Sequence, residues 1–421
     1  MRVERIYLLC SQPTSVKTCQ VSQEVLGTLR GSEAPGHSIY LSSRGNSIRQ
    51  HQGILQEGFI QYAMDKYHQT DNPDGIVNLG TSENKLCYDL LYKRLTKPDM
   101  LHVEPSLLQY SSWIGHTFLR EEVAKFLSHY CCSPKPLRAD NVSSSNGYNL
   151  SEYRKKVFFF FFLNSRPFHL TVGKLEAGLR KAKQEGKNIR ALILMNPHNP
   201  LAEIYTPKEM IAFLEFAKRN ELHAIVDEVY MLTVFDESVT FHSVLSIESL
   251  PDPQRTHVMW GMSKDFAMAG IRIGTLYTVN TDLVEALAQL GSFHGLPGTL
   301  QHQVAQLLRD RDWINNEFLP GNRCRLKSSH SLLTTELRSI GIPFLDRPAG
   351  LYVWADFRKY LSESSFEAEL ALWRRFLRHK VLLSCGQAFS CSTPGWFRIV
   401  FADQQPQLQL GQSHPLFYIS S

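Results

Sequence analysis

Apolar residues along the chain fall into short continuous runs that alternate with segments of helical spacing, most clearly between Ala191 and Val279. ALILM (191–195) is wholly apolar and stops at NPHNP, the pattern of a buried parallel strand ending in a loop. A helix is predicted directly afterwards. Thr206, Pro207 and Glu209 form a capping box with proline at the first helical position, and Met210, Phe213, Leu214 and Ala217 recur at helical spacing until Asn220. A second apolar strand, HAIVD (223–227), follows, so strand, helix and strand make a right-handed βαβ unit. THVMW (256–260) supplies a third strand and IGTLYTV (273–279) a fourth. The pattern predicts a mostly parallel α/β sheet covered by helices.

Open sheets of this kind bind ligands outside the carboxyl ends of their strands. At those ends stand Asn199 after the first strand, Asp227 closing the second with Tyr230 three residues on, and Ser263 and Lys264 just past the third, with Arg272 eight residues beyond. A lysine amine can form a Schiff base with an aldehyde, an aspartate can keep a pyridine nitrogen protonated, and serine with arginine can hold a phosphate. Asn199 and Tyr230 would donate hydrogen bonds to a phenolate oxygen. Together these are the needs of pyridoxal 5'-phosphate (PLP). Each residue also has an ordinary reading, as a surface lysine, a turn or cap aspartate, or a packed tyrosine.

GMSKDFAMAGIRIG (261–274), NPHNPLAEIY (196–205) and AIVDEVY (224–230) resemble the cofactor motifs of fold-type I aminotransferases, specifically those of the 1-aminocyclopropane-1-carboxylate synthase-like branch. NLGTSENKLC (78–87), GHTFLREEVAKFL (115–127), AGLYVWADFR (349–358) and PGWFRIVFAD (394–403) are similar to that branch in the same order, so the resemblance runs from Leu41 to Asp403 with one break. It implies a homodimeric PLP enzyme acting on a small α-amino acid by transamination, elimination or ring closure. Lys264 would form the Schiff base and move the α-proton. Arg398, in the alternating strand pattern WFRIVF, would clamp the substrate α-carboxylate with its guanidinium fork, and Glu83 would lie close to the substrate amine. The implied organisation is a divergent leader (1–40), a segment packing with the small domain (41–90), a large cofactor-binding domain (91–295) interrupted at 148–166, a small α+β domain (296–403) and a divergent tail (404–421).

Three positions depart from the branch. Gly261 stands where a first phosphate-binding serine is usual, leaving Ser263 and Arg272 for that work. Ala202 replaces a glycine, which is costly only if the backbone needs positive φ. Trp113 takes the place at which plant members carry a tyrosine that reaches into the neighbouring subunit's site.

The break is RKKVFFFFFLNSR (154–166), with Phe158 to Phe162 unbroken. By the resemblance, a small-residue loop and a helix N-terminus cradle the cofactor phosphate just after the strand ending near Gly147. Two further strands should follow, one carrying an aromatic residue that stacks on the pyridine ring. Only 44 positions separate Gly147 from Ala191, so about two supersecondary units, at ~30 residues per βαβ unit, are absent. The sheet is expected to lack strands and to show an uncovered apolar edge. The run could supply one strand, since phenylalanine favours strands, but not a phosphate cradle. A genetic reading stands beside that one: phenylalanine codons are all pyrimidine, and a pyrimidine tract precedes an intron's splice acceptor. The alternative to an active enzyme is therefore a catalytically inactive family member, or an aberrantly spliced isoform without the phosphate-binding loop.

Composition narrows the partners. The 421 residues are 43% apolar and 20% charged, enough for a large core in more than one domain. A net charge of +5 is spread thinly with no long basic run, so neither nucleic acid nor an anionic membrane is expected. Eight cysteines show no C-x-x-C pair and sixteen histidines no H-x-x-x-H pair, so no metal is expected, and reduced thiols in a cytoplasmic protein are. The first residues hold too short an apolar stretch for an export signal of ~7–15 residues. No segment reaches the ~18 continuous apolar residues of a membrane span.

Overall fold

The computed structural model describes residues 38–50, 53–145, 168–404 and Leu408. The phenylalanine run and the expected phosphate loop, within 146–167, lie outside the described residues, as do most of the leader and of the tail. The chain divides into two compact units, residues 1–53 and 54–421. In the first, α1 (Ser43–Gln50) is preceded by a turn that Asn46 closes, its side chain bonding the backbone of Ser38 and Leu41.

The second unit opens with α2 (Ile54–Met64) and a short strand, β1 (Val77–Asn78). Its central sheet contains β2 (Val142–Ser145), β3 (Ala191–Met195), β4 (His223–Asp227), β5 (Thr256–Gly261) and β6 (Gly274–Tyr277), in the order β2-β6-β5-β4-β3. β3 pairs parallel with β4 and β4 with β5, while β6 is antiparallel to both β5 and β2, so four of the five strands share one direction. The fourth predicted strand is shorter than its apolar run. It stops at Tyr277 because Thr278 turns away, its N–H donating to the Asn141 carbonyl and its hydroxyl meeting His257. Among the described residues β3 has a strand neighbour on one side only.

Helices α3 (Thr117–Tyr130), α4 (Val172–Gln184) and α5 (Pro207–Arg219) cover this sheet. The predicted capping box opens α5: the Thr206 hydroxyl accepts from Glu209 N, and the Glu209 carboxylate accepts from Thr206 N at 2.8 Å. Leu119 and Phe126 of α3, Leu175 of α4, Phe213 of α5 and Leu194 and Val226 of the sheet join one buried cluster. Each such side chain removed from water contributes ~1.5–3 kcal/mol. No described helix is long and apolar enough to cross a membrane.

The smaller sheet is antiparallel. β7 (Phe344–Leu345) and β8 (Tyr352–Asp356) lead through α6 (Phe366–Arg378) to β9 (Val381–Leu382), which pairs parallel with β1. β10 (Ser384–Cys385) and β11 (Trp396–Val400) complete the order β10-β11-β8-β7. The alternation in WFRIVF suggests one wet face, yet all five residues of β11 are buried. Phe357 and Phe376 pack on Phe397 from one side, and Trp354 stacks on Trp396 from the other. Hydrogen bonds from Val77 and Leu79 to Lys380 and Leu382, and from Val400 to Leu79, tie residues 77–79 to this sheet.

Candidate active site

Asp227 is the last residue of β4, and its Oδ1 accepts from Val229 N at 3.1 Å. This is the turn an aspartate makes at a strand end. Burial lifts its pKa from 3.8 to about 6, against the pull of that hydrogen bond and of the Lys264 charge. Lys264 sits in a single helical turn, Met262–Asp265, directly after β5. The neighbouring Asp265 anchors that turn, accepting from Leu232 N at 3.0 Å and from Trp260 Nε1 at 2.8 Å.

The lysine reaches across to a residue outside the central sheet. Lys264 Nζ donates to the Ser82 carbonyl and lies 5.9 Å from the centre of the Tyr230 ring. The Tyr230 hydroxyl is 2.9 Å from Ser82 Oγ. Two residues earlier, the Gly80 carbonyl accepts from Arg398 Nη2 at 2.6 Å, while Arg398 Nη1 donates to Asn199 Oδ1 at 2.8 Å. Arg398 is 5% exposed, and its guanidinium lies 5.1 and 4.8 Å from the ring centres of Tyr352 and Phe389. A guanidinium carries five N–H donors. Two are used internally, and Nε is buried without a partner. Burial lowers the Arg398 pKa, and the nearby Tyr230 and Tyr352 oppose this.

The structure thus brings Lys264, Tyr230, Asn199 and Arg398 around residues 80–82, with Asp227 close enough to feel the Lys264 charge. Ser263 is half-buried beside Lys264 in the chain, and Arg272 is exposed with left-handed backbone (φ 56°), its Nη1 donating to the Ala269 carbonyl at 2.9 Å. Glu83 lies apart from the group. It lines a 250 Å³ cavity with Lys66, Lys85 and Asp403, whereas Arg398 lines another, of 330 Å³, with Phe59, Ser82, Trp373 and Ser384.

Two departures now have a physical account. A Cβ on Gly261 would come 2.7 Å from the Ile273 carbonyl oxygen, so close approach of β5 and β6 holds that position to glycine. Ala202 does have positive φ, at 51°, a conformation costing a non-glycine residue ~1–3 kcal/mol. Sequence reasoning missed Ser82, Gly80 and Tyr352. Ser82 and Tyr352 lie inside the motifs TSEN and GLYVW, but Gly80 acts only through its carbonyl and leaves no side-chain signal.

An amine, a carboxylate, a phenol and an amide converge as the ring half of PLP requires. The burial-strained Asp227 carboxylate is a place that a cationic ring nitrogen would relieve. For the phosphate end, the described residues offer Ser263 and the donors Arg272 keeps beyond its bond to Ala269.

Fold and site together define the class. The aminotransferase class I and II model matches residues 150–408, and the chain belongs to that family, with the PLP-dependent fold type I architecture. Within the family it is similar to 1-aminocyclopropane-1-carboxylate synthase-like protein 1 of Takifugu rubripes, at 61% identity over 439 residues, spanning 96% of this chain and 70% of that protein. The Homo sapiens protein of the same name is 53% identical over 409 residues, spanning 88% and 82%. A second human protein, named "Probable inactive 1-aminocyclopropane-1-carboxylate synthase-like protein 2", is 44% identical over 407 residues, spanning 88% and 72%. Solved structures share the fold: Pyrococcus protein-A1 superposes with a TM-score of 0.70 at 20% identity, covering 86% of this chain and 95% of that one. The Thermus thermophilus aspartate aminotransferase with maleate gives 0.66 at 15%, covering 89% and 98%.

Proposed function

We propose that the chain is a PLP-dependent enzyme acting on a small α-amino acid, with Lys264 as the amine that holds the cofactor aldehyde. The observation that supports this best is the gathering of Lys264, Tyr230, Asn199 and Arg398 about Gly80 and Ser82, with Asp227 close enough to feel the Lys264 charge. When bound, PLP supplies an electron sink for negative charge at the substrate α-carbon. Arg398 receives the α-carboxylate with the donors its internal bonds leave free, and Asn199 fixes the plane of that fork. Lys264 Nζ takes and returns the α-proton, Asp227 holds a proton at the ring nitrogen, and Tyr230 donates to the ring oxygen. Ser263 and Arg272 hold the phosphate. Glu83, assigned by the resemblance to the substrate amine, is among the residues lining the other cavity, so the substrate contact proposed here rests on Arg398.

A homodimer in the cytoplasm belongs to the same reading, as do the domain boundaries at 91–295 and 296–403. Tyr110 and Phe293 are 94% and 86% exposed, and the Trp113 ring lies 5.8 Å from that of Tyr110, with Trp113 atoms against Gly291 and Gly295. That apolar surface suits a second copy of the chain.

A second reading, an inactive member or aberrantly spliced isoform, is favoured by the similarity to the relative named inactive. Melting with and without PLP separates the two. A cofactor at a hundred times its Kd adds ~2.7 kcal/mol of stability, and no shift supports the inactive form. Lys264→Ala prepared with PLP should lose the parent's visible absorbance, and an unchanged spectrum would remove Lys264 from the proposed role. Transcript sequence across the codons for Ser143 to Thr171 decides the isoform question.

A further inference from the structure

We infer that Ser82 is a positioning residue of this site, whose hydroxyl orients the Tyr230 phenol while its carbonyl holds the Lys264 amine. The inference rests on the assignment of Lys264 and Tyr230 as cofactor contacts. Ser82 is 7% exposed, and its two partners lie 148 and 182 positions away in sequence.

The turn that carries it is fixed from several sides. Asn78 Oδ1 accepts from Gly80 N at 3.0 Å and Thr81 N at 2.9 Å, and Asn78 Nδ2 donates to Thr81 Oγ1 at 2.9 Å. The Gly80 carbonyl accepts from Ser384 Oγ at 2.9 Å as well as from Arg398. Ser82 is therefore presented by a backbone that cannot follow Tyr230 if the phenol moves.

Hydroxyl chemistry then sets the direction of the bond. A phenol has one proton. When Tyr230 gives it to the ring oxygen of a bound cofactor, Ser82 must be the donor in the Ser82–Tyr230 pair. That donation polarises the phenol and makes Tyr230 a stronger donor in turn. Alanine at 82 removes the donor and frees the ring, while the Lys264 contact, made by the backbone carbonyl, survives. A neutral hydrogen bond of this kind is worth about two- to tenfold in affinity.

The test uses the full chain as parent, Ser82→Ala, Tyr230→Phe, the double variant and Ser82→Thr. Without cofactor, the fall in melting temperature of the double variant should be smaller than the sum of the two single falls, because both remove one shared bond. Additive falls overturn the pairing. With PLP, Ser82→Ala should bind about two- to tenfold more weakly. The pH midpoint of the visible band should move upward, as in Tyr230→Phe, because an oxygen facing a weaker donor is more basic. Ser82→Thr should restore both. A Ser82→Ala midpoint equal to the parent's, with Tyr230→Phe displaced, overturns the positioning role. A parent that takes up no PLP defeats the functional reading alone, and the cofactor-free melts still decide the pairing.

Discussion

Asp227 is placed where the chemistry of the site opposes stability, and Asp227→Asn measures the conflict. Burial raises its pKa from 3.8 to about 6 in the folded protein. Between those values the folded state binds more protons than the unfolded chain, so stability is greatest below the window and falls as pH rises through it. The displacement is about two pH units, so at 1.36 kcal/mol per unit the ionised carboxylate costs on the order of 3 kcal/mol above about pH 6. Asparagine has the same shape, keeps an oxygen to accept from Val229 N and carries no charge. At about 2.1 cal/mol/K per residue, the cofactor-free variant should melt roughly 3–4 °C above the parent near pH 8. The gap should close as pH falls from about 6 towards 4, where the parent's carboxylate is protonated. Scanning calorimetry at several pH values reads this directly. The added shift on PLP binding should be smaller in the variant, which has no charge for the ring nitrogen. A variant no more stable than the parent near pH 8, or a gap independent of pH, would refute the reasoning.

Three further substitutions probe other parts of the structure. His223 Nδ1 lies 2.8 Å from His257 Nε2, and His257 Nδ1 lies 2.7 Å from Thr278 Oγ1. Burial lowers both pKa values, that of His257 to about 4. Their stabilisation should be complete above pH ~6.5 and fade as pH falls towards 4, so urea midpoints should drop over that range in the parent and less in His257→Gln. Gly58→Ala would place a Cβ 2.6 Å from Leu382 Cδ1 and 2.8 Å from Trp373, pushing α2 off its seat and lowering stability by ~1–3 kcal/mol in a denaturant titration. Arg398→Lys keeps the charge and loses the fork, so binding of an α-amino acid to the PLP-loaded protein, followed by absorbance, should weaken at least tenfold, and the melting temperature should also fall, because Gly80 and Asn199 cannot both keep a donor.

Much of the central sheet was readable because buried parallel strands are written as unbroken apolar runs, as in ALILM and HAIVD, and because Thr206 and Glu209 announce a helix start by their spacing. Asp227 and Lys264 were readable for a related reason, standing where those runs stop. What escaped depends on distant partners. Nothing near Arg398 in the sequence points to the Gly80 carbonyl, 318 positions away. The alternation around it marks two faces but not that Phe357, Phe376 and Trp354 cover both. Glu83 was assigned by its neighbours in a motif, yet adjacent residues line different cavities, Ser82 with Arg398 and Glu83 with Lys66 and Lys85.

The strap from Asn78 to Ser82 has a thermodynamic consequence. Its Gly80 carbonyl holds the guanidinium that would read a substrate carboxylate, and Ser82 holds the amine and phenol that would meet a cofactor, with only Thr81 between them. Any displacement that a ligand imposes at one end is imposed on the other. Reciprocity then requires that a simple monocarboxylate change the affinity for PLP by the same factor by which PLP changes the affinity for the monocarboxylate.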